Sequence, residues 1–576
     1  MSEQQITLRI EGMTCLDCAR TLERELGKVE GVRGAEVSYA TGRAHVAAAT
    51  PVDAEKLTAA LVQAVEGQGY RAVPADVGPD ERPAARASSE RPKPAARGRD
   101  GASAHEDDAD YDLVVIGTGA AGMAAAIRAS ELGATAAIVE GGEVVGGTCV
   151  NIGCIPSKYL IEAAQRFHDA RRGAPGIAAC EPALAWNEVL RDKRELVGAL
   201  RQEKYVDVLD AYAGVTLLRG RAELLGGGRV RIAERVVRGG KIVVATGARP
   251  AVPPINGLEL VDALDSTSVM ELERLPSSLV VLGGGSIGLE LGQAFSRFGV
   301  RVVVVEAADR ILPSETLGVS ETLTKALVTD GMEFHVGTLA TRVERIEGGV
   351  RLHVSQGSLA GIIEAERLLV ATGRRPNVEA TGLESAGVRL DPRGFIAVDE
   401  YMRTSNPDVF AAGDVTGGPG YVYVAALQGG IAAQAALADR ASEGAIAIDL
   451  GTVPRVTFTD PQVAAVGLGE PEARAAGLEP RVTTLPVRHL PRALVSHRAA
   501  GEITLVSEAG TDRLLGAHLV MPNAGDVIGE AVLAIRFGLT ARELVSTLHP
   551  YLTWGEGLKL AGQTFTRDVA KLSCCA

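Results

Sequence analysis

The chain has 576 residues, 46% of them hydrophobic, which is material for three or four domains with sizeable cores. Its net charge of −13 speaks against nucleic acid and anionic membrane surfaces as partners. No apolar run approaches the roughly 20 residues of a membrane span, and Met1-Ser2-Glu3-Gln4-Gln5 lacks the basic-then-apolar order of a signal peptide; a cytoplasmic location is expected, where paired cysteines read as catalytic or metal-binding.

Residues 1–74 spell a β-α-β-β-α-β order, with strands over 6–10, 35–39, 43–47 and 69–73 and helices over 19–26 and 54–65, a ferredoxin-like pattern. Cys15 and Cys18, in Gly12-Met-Thr-Cys15-Leu-Asp-Cys18, fall between the first strand and the first helix. A helix N-terminus favours the thiolate forms that bind soft metals. The spacing alone admits a redox pair as well. The segment resembles heavy-metal-associated domains, which implies metal binding by Cys15 and Cys18. Residues 75–109 turn to Pro, Ala, Arg, Ser and Asp, with Pro79, Pro83, Pro92 and Pro94, and read as a flexible or semi-extended tether.

Tyr111–Ile116 is a buried-strand pattern that runs into Gly117-Thr-Gly119-Ala120-Ala-Gly122 and an Ala-rich helix, and Glu140 closes the next strand. Glycines there let a backbone approach a pyrophosphate at the helix N-terminus, and an acid about 20 residues on binds a ribose hydroxyl. The pattern recurs at 278–282, Gly283-Gly-Gly285-Ser-Ile-Gly288 and Glu306. Each copy is followed by a strand ending in Ala-Thr-Gly, at Thr246-Gly247 and at Gly373, and Gly413-Asp414 comes later. Two such folds imply two dinucleotides. Between them lies Gly146-Gly147-Thr148-Cys149-Val-Asn-Ile-Gly-Cys154-Ile-Pro-Ser-Lys158, with thiols spaced for one helical turn. The chain ends in His549-Pro-Tyr551, Glu556 and the vicinal pair Cys574-Cys575, soft ligands on a terminus. Cys180 lacks a partner and reads as packing or neutral.

From residue 110 onward this order resembles the pyridine nucleotide-disulfide oxidoreductases. The resemblance implies an α/β, Rossmann-like flavoprotein core and an α+β dimerisation domain. Residues 110–275 and 376–450 would bind FAD through Gly117, Gly119, Ala120, Gly122, Glu140, Gly147, Thr148, Lys158, Thr246, Gly247, Gly413 and Asp414. Residues 276–375 would bind NADPH or NADH through Gly283, Gly285, Gly288, Glu306 and Gly373, and 451–576 would dimerise. It also makes Cys154 the thiol nearer the flavin and Cys149 the exchanging one, with Lys158 paired to Glu290.

Anchoring on Glu556 puts Tyr551 where disulfide reductases carry their base histidine, and His549 falls two residues early. A tyrosine, with a pKa near about 10, is a poor base at neutral pH. With the N-terminal domain and the tail pair added, the chain resembles the mercuric reductase family. That implies a homodimer in which Cys574, Cys575 and Tyr551 serve the other subunit's Cys149 and Cys154, with Tyr205 near the metal. Hg(II) would pass from Cys15 and Cys18 through the tail pair to Cys149 and Cys154 and leave as Hg(0), with electrons from NAD(P)H through FAD. The family habit is NADPH, whereas Glu306 suits the free ribose of NADH. Two rivals stand: a dihydrolipoamide dehydrogenase fused to a metal domain, and a non-catalytic metal-binding protein.

Overall fold

The computed structural model describes residues 4–11, 22–29, 31–38, 43–48, 53–68, 70–74, 109–440, 446–568 and 571. Cys15, Cys18, Cys574, Cys575 and all but the last residue of the expected tether lie outside the described residues. The chain divides into two compact units, residues 1–105 and 106–576.

In the first unit, Val32–Ser38, Arg43–Ala48, Gln4–Glu11 and Arg71–Pro74 form an antiparallel sheet in that order, accompanied by the helix Ala54–Glu66. Alternation does the work: Ile6, Leu8 and Ile10 share one face of the strand and are buried with Val46, Leu61 and Val65. Leu22 and Leu26, one helical turn apart in the helical segment 22–26, close this core.

In the second unit, Val215–Arg219, Ala136–Glu140, Tyr111–Ile116, Arg235–Val244 and Val409–Ala411 pair in parallel. The long strand Arg235–Val244 serves twice, since its first residues pair antiparallel with Arg229–Ile232 and its last ones fill the centre of the parallel sheet. Val114, Val115, Val243 and Val244 are buried on both faces, as a parallel sheet covered by helices requires. A second parallel sheet follows, in the order Glu333–His335, Arg301–Val305, Ser278–Leu282, Arg367–Val370, with a three-stranded antiparallel sheet over 339–365. The C-terminal part is a five-stranded antiparallel sheet, covered by Ala524–Arg536, Ala541–Ser546 and Glu556–Gln563. No helix among the described residues is long and apolar enough to cross a membrane.

Candidate active site

Both glycine motifs are built on one backbone device. Gly117 has φ +111°, and a Cβ there would stand 2.3 Å from the carbonyl oxygen of Ala245. Gly283 has φ +108°, with the same atom 2.4 Å from the carbonyl of Ala371. Only glycine meets both demands. Gly122 and Gly288, one turn into their helices, leave no room for a Cβ beside the carbonyls of Gly117 and Gly283. Each loop is thereby pressed onto the neighbouring Ala-Thr-Gly strand, and the helix N-terminus opens into a cavity.

The first cavity is lined by Gly117, Gly119, Ala120, Glu140, Gly147, Thr148, Cys149, Cys154, Thr246, Gly247, Gly413 and Asp414. Glu140 is fixed at its rim, accepting from the Thr118 hydroxyl and, at 2.6 Å, from the Gly142 amide. Gly119 and Gly147 meet backbone to backbone, so the floor is free of side chains. Asp414 is half-buried, and that raises its carboxyl pKa; Arg374, 3.6 Å away, opposes the rise. A side-chain-free floor at a helix N-terminus with a rim acid fits FAD. The second cavity is lined by Gly283, Gly285, Glu306, Ala307, Gly373, Arg374, Tyr421 and Arg455 among others. Gly420 lines both.

Cys149 and Cys154 do not sit on one helical turn. Cys149 belongs to the short helix Gly147–Ile152, Gly153 breaks it, and Cys154 starts the helix Cys154–Arg172. The break requires glycine: a Cβ on Gly153 would come within 2.9 Å of the Thr148 carbonyl oxygen. Both thiols are free and half-buried. The Cys149 thiol donates to Cys154 and brings the Cys154 pKa down to about 7; Lys158 adds to this and burial opposes it. Cys149 is pushed up by the same hydrogen bond and by burial, so Cys154 is the first of the pair to give up its proton.

Lys158 Nζ lies 2.6 Å from Glu290 Oε2, and the other carboxylate oxygen accepts from the Phe458 amide at 2.8 Å. Lys158 also stands 4.5 Å from the centre of the Phe458 ring. Tyr205 sits on a π-helical turn, Gln202–Val206, inserted between Trp186–Arg201 and Asp207–Ala211. Its ring backs onto Gly146, and its hydroxyl is raised to about 12 by burial and then by the charges of Cys149 and Cys154. Tyr421 and Tyr423, stacked with ring centres 5.3 Å apart, were not singled out from sequence. Burial raises both, and the Cys154 charge acts on Tyr423. A pair of tyrosines with no motif around them carries no sequence signal.

His549 is committed elsewhere, with Nε2 2.6 Å from Glu530 and Nδ1 2.9 Å from the Thr547 carbonyl. Glu556 is buried and accepts from the Leu552 amide at 3.3 Å. No His–Glu acid-base pair is formed between them. Tyr551 is exposed on the loop before Glu556. Cys180 is exposed rather than packed.

Residues 111–429 match the pyridine nucleotide-disulphide oxidoreductase family, 453–561 its dimerisation domain and 7–71 the heavy-metal-associated domain. The chain is 39% identical to a mercuric reductase of Staphylococcus aureus, with all of both chains covered. It is 43% identical to one of Streptomyces lividans over 81% of this chain and 98% of that one. Among solved structures, the Cu(II) complex of the HOCl-induced flavoprotein disulfide reductase RclA from Escherichia coli superposes with a TM-score of 0.71 at 30% identity, over 79% of this chain and 99% of that one. Glycine device, cysteine pair, sheet order and full-length similarity agree: the chain belongs to the pyridine nucleotide-disulphide oxidoreductases and, within them, to the mercuric reductases.

Proposed function

We propose that this chain takes electrons from a reduced nicotinamide dinucleotide and delivers them to Hg(II) held on Cys149 and Cys154, releasing Hg(0). The observation that carries this reading is the pair of glycine-floored cavities with Gly420 in the lining of both and both cysteines on the wall of the first. FAD, when bound in that first cavity, supplies the relay between a hydride donor and sulfur.

The chain's own residues do the rest. Gly117, Gly119, Ala120, Gly122, Gly147 and Thr148 give the pyrophosphate a bare backbone, Glu140 takes a ribose hydroxyl, and Thr246, Gly247, Gly413 and Asp414 line the remainder. Gly283, Gly285, Gly288, Glu306 and Gly373 do the same for the nicotinamide dinucleotide. Lys158, held by Glu290, sets a positive charge beside the Cys154 thiolate. Cys149 keeps its proton until Hg(II) arrives on two carrier thiolates; the Cys154 thiolate and then the Cys149 sulfur each form a Hg–S bond as one carrier bond breaks, one carrier leaving as thiolate and the other taking the Cys149 proton. Because each thiolate replaces another, the ion is handed over without being set free. Tyr205 faces this exchange.

Upstream, Cys15 and Cys18 capture the metal, residues 75–109 link that domain to the core, and Cys574 and Cys575 carry the ion inward. Tyr551 and the tail pair act on the second subunit of a homodimer formed through 451–576. The reading places the reaction in the reducing cytoplasm. Among the described residues, Glu556 is bonded to backbone and His549 to Glu530, so neither stands free as the base for an organic thiolate, which disfavours the dihydrolipoamide reading. The test is anaerobic oxidation of NADH and NADPH with Hg(II) in excess small thiol, with mercury vapour collected, beside lipoamide and oxidised glutathione. Brisk turnover of either disulfide with none of Hg(II) would sink the proposal.

A further inference from the structure

The second cavity also carries the chemistry that chooses between the two nicotinamide dinucleotides, and this inference rests on the proposal that the cavity binds such a donor. We infer that Glu306 makes the enzyme NADH-preferring, by holding the adenosine ribose through its free hydroxyls and repelling a 2′-phosphate.

Glu306 ends the strand Arg301–Val305 and lines the cavity. Its backbone is fixed on both sides, the amide donating to the His335 carbonyl and the carbonyl accepting from the Thr338 amide, each at 2.9 Å. Its carboxylate is fixed as well. One oxygen accepts from the Gly284 amide at 2.6 Å and the other from the Ala308 amide at 2.7 Å. A carboxylate offers about four acceptor sites, so roughly two stay open after these bonds, a match for two vicinal hydroxyls. The Gly284 amide ties the acid to the glycine loop itself, so the carboxylate stands where the ribose next to the pyrophosphate must lie.

A 2′-phosphate needs a cation at that spot, and the cations nearby are engaged. Arg310 turns to Asp309 at 3.2 Å and to the Pro313 carbonyl at 3.0 Å. The arginines that line the cavity are drawn to carboxylates of their own: Arg374 to Asp414, and Arg455 to both oxygens of Glu315 at 2.8 and 3.0 Å. Ala307 adds no charge to the lining. A phosphate dianion would therefore meet an ordered carboxylate that cannot swing away without giving up two backbone bonds.

The experiment uses the FAD-loaded holoenzyme. Calorimetric titration with NAD⁺ and NADP⁺ gives binding, and stopped-flow bleaching of the flavin by NADH and NADPH gives hydride transfer, both without mercury. NAD⁺ is expected to bind, and NADH to bleach, at least about tenfold better than the phosphorylated form, roughly 1.4 kcal/mol. Glu306→Arg should reverse the order. Since that change also removes the bonds to Gly284 and Ala308, Ala307→Arg is the companion: it adds a cation at an exposed position on the lip, leaves Glu306 in place and should improve NADP⁺ binding alone. Equal or better binding and bleaching by the phosphorylated forms in the unmodified enzyme would overturn the inference. A flavin that neither nucleotide bleaches would instead overturn the donor reading on which it rests.

Discussion

The Cys154 thiol ionises more readily than an ordinary cysteine by virtue of its neighbours, and its reactivity follows from them. Its pKa is depressed to about 7, so the nucleophilic form grows as pH rises through 7 and is lost below it. Iodoacetamide modification of the reduced enzyme should accelerate between pH 6 and 8 with a midpoint near about 7, read by peptide mapping of Cys154. Lys158→Met removes the nearby cation and should move that midpoint upward. It also strands Glu290, whose carboxylate is 7% exposed, at a cost of about 1–3 kcal/mol in a denaturant melt. An unmoved midpoint in that variant would show that Lys158 has no hold on the sulfur. Tyr205→Phe tests the other neighbour: losing one hydroxyl at the exchanging sulfurs should lower kcat/KM for Hg(II) about tenfold, roughly 1.4 kcal/mol, while FAD stays bound. Full activity would reduce Tyr205 to packing.

At the scale of elements, the loop before Glu556–Gln563 separates this chain from reductases of organic disulfides. His549 is 4% exposed and fastened to Glu530 on the helix Ala524–Arg536. It is a clamp between loop and helix. His549→Gln should keep mercury turnover within about twofold while lowering stability by about 1 kcal/mol, seen as an earlier melt. Loss of turnover beyond about tenfold would return His549 to the chemistry. The sequence showed these elements unevenly. The strands were legible because Leu8 and Val46 alternate and Val114 and Val243 sit in unbroken apolar runs, and the dinucleotide loops because glycine is forced at Gly117 and Gly283. The π-helical turn at Tyr205 was not legible, since one extra residue in a helix leaves no composition behind. The break at Gly153 was missed because the five-residue step from Cys149 to Cys154 reads equally as a turn of helix. Arg455 with Glu315 and His549 with Glu530 are partners chosen by tertiary packing, which no local pattern records.

For the whole molecule, the two compact units each bury their own core, with Leu8, Leu61 and Val65 in one and the paired parallel sheets in the other. Removal of residues 1–109 should therefore leave a folded yellow core that reduces Hg(II) presented on small thiols at close to the full rate. Double replacement of Cys574 and Cys575 should instead slow turnover of Hg(II) bound to glutathione or to a protein dithiol by about a hundredfold, roughly 2.7 kcal/mol. Truncation that destroys activity, beside a tail variant that keeps it with the bulky donors, would reverse the proposed order of hand-off.

The twin glycine device gives the molecule two separately breakable switches. A single methyl group at Gly283 collides with the Ala371 carbonyl and spoils one dinucleotide loop, while Gly117, against Ala245, is untouched. Such a protein would stay yellow, refuse the reduced nicotinamide dinucleotide, and still be charged by dithionite or by an electrode. Mercury removal would then run only when current is supplied, uncoupled from cellular metabolism by one carbon atom.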